Sequence, residues 1–141
     1  MDINEAQLQN SVKNDDYLAI WQVEQEHIRT RWNVTTFFMS VSFAIFGYSF
    51  QSGLAHPSAI AVRFTSLFIY WFAYILFLRY YKHTKFLRSY LIQMESSQRT
   101  TLDIQSQENK IRPSAIRTHH YLLGFGVIYT VSIALFWILG V

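Results

Sequence analysis

The residues that could do chemistry in this chain of 141 are few: five histidines, one isolated arginine and a short run of lysines and arginines. Glu24 and His27 form a Glu-x-x-His step, the spacing that puts two metal ligands on one helical face in di-iron bundles. Such a centre needs a second step and further carboxylates, and the apolar stretches hold no Asp or Glu to supply them. Histidines from different helices could instead ligate a haem, which makes His27, His83, His119 and His120, with Glu24, the haem or metal candidates. The opposing expectation is plainer. Together with Tyr80, Tyr81, Tyr90 and Tyr121 these rings suit a membrane headgroup belt, where amphipathic side chains belong. On that expectation the protein holds no metal and no cofactor, and haem is the alternative. A histidine switch responding near neutral pH is a third use of the same residues.

Other chemistries are excluded or unsupported. The chain has no cysteine, so it has no disulfide, no thiolate ligand and no cysteine nucleophile. It lacks a Gly-rich phosphate loop, a Gly-x-Ser-x-Gly elbow and a His-Glu-x-x-His helix. The expectation is a protein that is not an enzyme. A carboxylate proton relay has no residues to run through, since no acidic side chain lies in an apolar stretch.

What must position these residues is a set of three long apolar, aromatic-rich stretches, 32–50, 59–78 and 121–141. At ~1.5 Å per residue each makes a helix of roughly 28–32 Å, about one bilayer core. Overall composition is mild, with 51% hydrophobic residues, so the apolarity is concentrated in these stretches. The fold class expected is an all-α integral membrane protein with three transmembrane helices.

Charge sets the expected orientation. The connection 51–58 holds no Lys or Arg, whereas 79–120 holds eight against three acidic residues. Arg29 and Arg31 flank the first span on its other side. The positive-inside rule then gives an N-in/C-out topology, with 79–120 in the cytoplasm. The expected location is a cytoplasmic membrane of the bacterial inner-membrane kind. A basic segment beside a bilayer reads lipid phosphate rather than nucleic acid, so Lys82, Lys85 and Arg88 are the expected contacts for lipid, an anion or a partner.

Between and before the spans the pattern is also helical. Residues 1–15 read as a mobile polar N-terminus. Asp15 or Asp16 can cap a membrane-proximal amphipathic helix over 16–31, with Tyr17, Ile20, Trp21, Ile28 and Trp32 near one side. Leu87, Tyr90, Leu91 and Met94 continue the second span as a cytoplasmic helical extension over 79–95. Residues 96–112 read as a polar cytoplasmic loop with room for a short helix from Thr101, and Pro113 suits the first turn of the last helix.

Within the spans, Thr36, Ser40, Ala44 and Gly47 form one small-residue stripe, and Gly126, Thr130 and Ala134 form another. Such stripes let helix backbones approach closely in lipid, either between copies or within one chain. The hydroxyls of Ser40, Ser42, Thr65, Ser66, Thr130 and Ser132 bond back to the preceding turn, unless several line a wet pore. Arg63 is the one formal charge inside a span. Placed at the bilayer centre it costs ~2.5–3.5 kcal/mol. It stands one turn from the span's outer end, so it either snorkels to the headgroups or gates. The expected partners are the lipid bilayer and a homo-oligomer or membrane partner subunit, with no nucleic acid. The function expected is a small self-associating channel, pore or membrane-perturbing module controlled from the cytoplasmic side. The alternatives are a haem-binding anchor of a redox complex and a non-catalytic anchor or scaffold.

Overall fold

The computed structural model describes residues 3–51, 56–111 and 118–139, with side chains from residue 11 onward except those of 109 and 111. Four helices account for nearly all of these residues: α1 (Ile3–Tyr48), α2 (His56–Ser96), α3 (Ile104–Ile111) and α4 (Thr118–Leu139). Among the described residues there is no strand.

α1 is long because nothing stops it. No Gly or Pro occurs before Gly47, and the opening residues Glu5, Ala6, Gln7 and Leu8 are good helix formers. Residues 3–15 are therefore helical, where the sequence reading expects a polar tail, and Asp15 and Asp16 lie inside the helix rather than at its start. At the far end the Ser49 amide donates to the carbonyls of Ile45 and Phe46, and its hydroxyl donates to Phe46 O at 2.7 Å. α2 opens with Pro57 in its first turn, where a missing N–H costs nothing. It closes in a Schellman motif: Arg99 N donates to Met94 O and Gln98 N to Glu95 O, both at 3.1 Å. Gln98 takes the left-handed position, φ 53°, usually left to glycine. Pro113 lies outside the described residues.

The chain divides into two units. The polar unit joins residues 1–30 to 80–115, and the apolar unit joins 31–79 to 116–141. In the polar unit Tyr17, Leu91 and Met94 form a buried core, with Ile20, Trp21, Leu102 and Ile104 against it. Tyr17, Ile20 and Trp21 fall at helical spacing on α1, and Leu91 and Met94 do so on α2, so both amphipathic faces meet here.

In the apolar unit Tyr70, Tyr129 and Ile133 form the buried centre, packed by Met39, Phe46 and Leu67. Three helices meet through aromatic edges: Tyr129 stands 5.1 Å from Phe46 and 5.5 Å from Tyr70, centroid to centroid. Separations of this size are the favoured tilted and T-shaped contacts. Much of the remaining apolar surface faces outward, including Phe68, Phe125, Ile128, Trp137 and Ile138.

Two helices, α2 and α4, are long and apolar enough to cross a membrane. Only 33% of the most apolar window of α2 and 17% of that of α4 is buried within the chain, the reverse of a soluble core helix. Exposed apolar surface on this scale points to membrane association. The expected first span does not reach the same apolarity within α1, because Asn33, Thr35, Thr36, Ser40 and Ser42 interrupt it.

Candidate functional site

The two small-residue stripes have different fates. Thr36, Ser40, Ala44 and Gly47 are all exposed, and a Cβ built on Gly47 meets nothing within 4 Å. The stripe on α4 turns inward instead. Gly126 is buried, and a Cβ there would lie 2.8 Å from Tyr70 Cε1 and 3.3 Å from two ring carbons of Trp71. Thr130 accepts the Trp71 indole N–H at 3.2 Å and donates to Gly126 O at 2.7 Å. Ala134 is exposed. The α4 stripe thus begins in intramolecular packing, and the α1 stripe is left open.

The span hydroxyls mostly satisfy the backbone. Thr65, Thr130 and Ser132 donate to the carbonyl four residues back. Ser42 crosses between helices to Ser66 O at 2.7 Å, while Ser66 Oγ donates to Arg63 O and accepts the Tyr129 hydroxyl at 2.8 Å. Ser66 is therefore a node tying α1, α2 and α4 together.

Arg63 is 5% exposed, buried inside the apolar unit. Its Nε donates to Ser49 Oγ at 3.2 Å, and its guanidinium lies 5.0 Å from the Phe50 ring centre and 5.2 Å from that of Phe136. The aromatic faces attract the cation through their quadrupoles, so Ser49, Phe50 and Phe136 all help hold the charge.

In the polar unit the basic residues separate. Lys82 and Lys85 are exposed. Arg88 is engaged inside the fold: its Nε lies 2.9 Å from Glu24 Oε1, and a terminal nitrogen lies 3.6 Å from Glu108 Oε2. Glu24 is fully buried and also accepts the Gln105 side-chain amide at 2.5 Å. Burial pushes the Glu24 carboxyl above its ordinary value, opposed by the adjacent Arg88 charge. Glu24 is thus committed to Arg88 and Gln105, one turn away from its expected partner His27.

The histidines fall into two pairs. His27 and His83 meet in the polar unit with ring centroids 4.7 Å apart and planes at 73°. Tyr80 lies 6.4 Å from His27. In the apolar unit His119 and His120 are 4.1 Å apart, centroid to centroid. His56 is exposed at the start of α2. Among the described residues no group of three or more His, Asp or Glu side chains is placed to hold a metal ion.

One arrangement has no sequence signal. Glu95, nearly buried, accepts the Tyr17 hydroxyl at 2.5 Å, the Gln105 amide at 2.8 Å, the Ser106 amide at 2.9 Å and the Ser106 hydroxyl. It caps α3 from another helix, filling amide donors that a helix start leaves open. Burial raises its pKa, but the bonds from Ser106, Tyr17 and the two amides outweigh it and hold the carboxyl below its ordinary value. Burial first, and the carboxylate of Glu95 second, push the Tyr17 phenol well up. Beside this cap, Asn14 Oδ1 accepts Thr100 Oγ1 at 2.9 Å and the Thr101 amide at 3.2 Å. A lone Glu at a helix end and an Asn mid-helix carry no period or motif that would announce either contact.

Comparison with known protein families, characterised proteins and solved structures returns no match.

Proposed function

We propose that the protein is a self-associating membrane module of three spans, N-in/C-out, whose output is ion or small-solute permeability or membrane perturbation. The observation that carries this reading is the open stripe on α1. Four small residues face outward along one helix, with free space over Gly47. In lipid, where apolar side chains gain nothing by leaving the solvent, such a stripe is the surface on which a second backbone packs closely.

Support for a third span comes from the company residues 31–48 keep. Met39 and Phe46 pack on the same buried centre as the two apolar helices, and Ser42 hydrogen-bonds to α2. The orientation rests on the basic residues of 79–120 and their absence from 51–58. Control from the cytoplasmic side is supported by the helices themselves, since α1 and α2 each contribute to both units. Lys82 and Lys85 are then the exposed charges for anionic lipid or a partner.

Two experiments test the reading. Reconstituted into dye-loaded liposomes, the wild type should release dye, and Gly47→Leu should lower particle mass and leak together. Unchanged mass and leak in that variant would overturn it. The chain has no native thiol, so Ser52→Cys reports topology through an impermeant maleimide, which should label from outside. Labelling only after permeabilisation would reverse the orientation.

A further inference from the structure

Two histidines far apart in sequence, His27 on α1 and His83 on α2, bring their rings together in the polar unit. His27 is half-buried and His83 exposed, so the pair is reachable from solvent. Their geometry distinguishes between ligands. A metal–imidazole bond is about 2.0–2.1 Å, which puts a coordinated ring's centre about 3.2 Å from the ion. Two rings on one ion at a right angle then have centres about 4.5 Å apart, and at the tetrahedral angle about 5.2 Å. Rings on opposite faces of a haem stand about 6.4 Å apart by the same arithmetic. The observed 4.7 Å lies in the window for neighbouring positions on one ion and well short of the haem distance.

We infer that His27 and His83 form a binding site for a divalent transition-metal ion of the zinc, nickel or copper class. Each imidazole gives one nitrogen, and water fills the remaining positions. Imidazole suits these borderline ions, whereas magnesium and calcium require oxygen ligands. Glu24 does not complete the site, because Arg88 and Gln105 hold both of its oxygens. A two-ligand site open to water is exchangeable. Occupied, it fastens α1 to α2 within the polar unit. None of this depends on whether the chain self-associates. An ordinary edge-to-face contact between two imidazoles gives a similar distance, and binding separates the two cases.

The test uses the full chain in mild detergent, stripped with EDTA and purified without a histidine tag. Titration calorimetry with zinc chloride should show one ion per chain, and magnesium chloride should show none. His83→Ala removes an exposed side chain and leaves the core intact; it should weaken zinc binding by about tenfold or more and abolish the zinc-induced rise in melting temperature. His27→Ala should do the same, while the double variant His119→Ala/His120→Ala binds as the wild type does. Equal zinc binding by wild type and His83→Ala, or no saturable binding by the wild type, would overturn the proposal. So would a loss confined to the His119/His120 variant.

Discussion

Replacing Glu95 by Gln isolates what one buried carboxylate does for the polar unit. Glu95 Oε1 accepts from Tyr17 and the Gln105 amide, and Oε2 accepts from the Ser106 amide and hydroxyl. Glutamine keeps one acceptor oxygen and turns the other position into an N–H₂ that faces the Ser106 amide donor. The bond from the Ser106 amide is lost, the Ser106 hydroxyl turns to accept from the new N–H₂, and the surviving bonds become neutral. Hydrogen bonds to a charged group contribute about 1.5–3 kcal/mol each, against about 1 for neutral ones. The expected loss is about 3 kcal/mol or more, concentrated on α3. Amide hydrogen exchange reads it directly. Protection of the Gln105 and Ser106 amides should fall by about 100-fold or more, at about 1.4 kcal/mol per decade. Acid should reproduce the effect in the wild type. The folded pKa of Glu95 is depressed, so its stabilisation is complete above the unfolded value of about 4.3 and is lost as pH falls through the lower folded value. Unchanged protection of these two amides in Glu95→Gln would refute the capping argument.

Further outcomes follow from the same structure. Arg88→Met leaves Glu24 buried without its cation and should lower the melting stability by about 2–3 kcal/mol at neutral pH. The folded pKa of Glu24 is raised, so ionisation costs stability as pH rises through it; the deficit of Arg88→Met should shrink as pH falls from neutral and Glu24 takes up its proton. Gly126→Ala pushes a methyl to 2.8 Å from the Tyr70 ring and should cost about 1–3 kcal/mol, whereas Gly47→Ala should be neutral or mildly stabilising. Gln98→Gly relieves a left-handed glutamine and should add about 1 kcal/mol in thermal melts.

Periodicity made the two amphipathic faces legible. Tyr17, Ile20 and Trp21 on α1, and Leu91 and Met94 on α2, recur at helical spacing and do form the core of the polar unit. Of the three long apolar runs, the second and third fall in the two helices long and apolar enough to cross a membrane. The start of α1 carries no such signal, because polar helix formers look like a tail when no apolar stripe marks them. The inward turn of Gly126 and the outward turn of Gly47 could not be separated in advance. A stripe of small residues has the same pattern whether the partner is Tyr70 of the same chain or another molecule. Arg88 and Lys85 carry the same sign and lie three residues apart, yet only Arg88 reaches a buried carboxylate. That pairing depends on a long-range contact with Glu24, and no local rule encodes it.

Native mass spectrometry of the EDTA-treated protein from mild detergent reads self-association without an intermediate assay. The expected result is a discrete homo-oligomer whose mass is a whole multiple of 16.7 kDa, shifting to smaller particles in Gly47→Leu. A monomer for the wild type, or an oligomer that Gly47→Leu leaves intact, would contradict it.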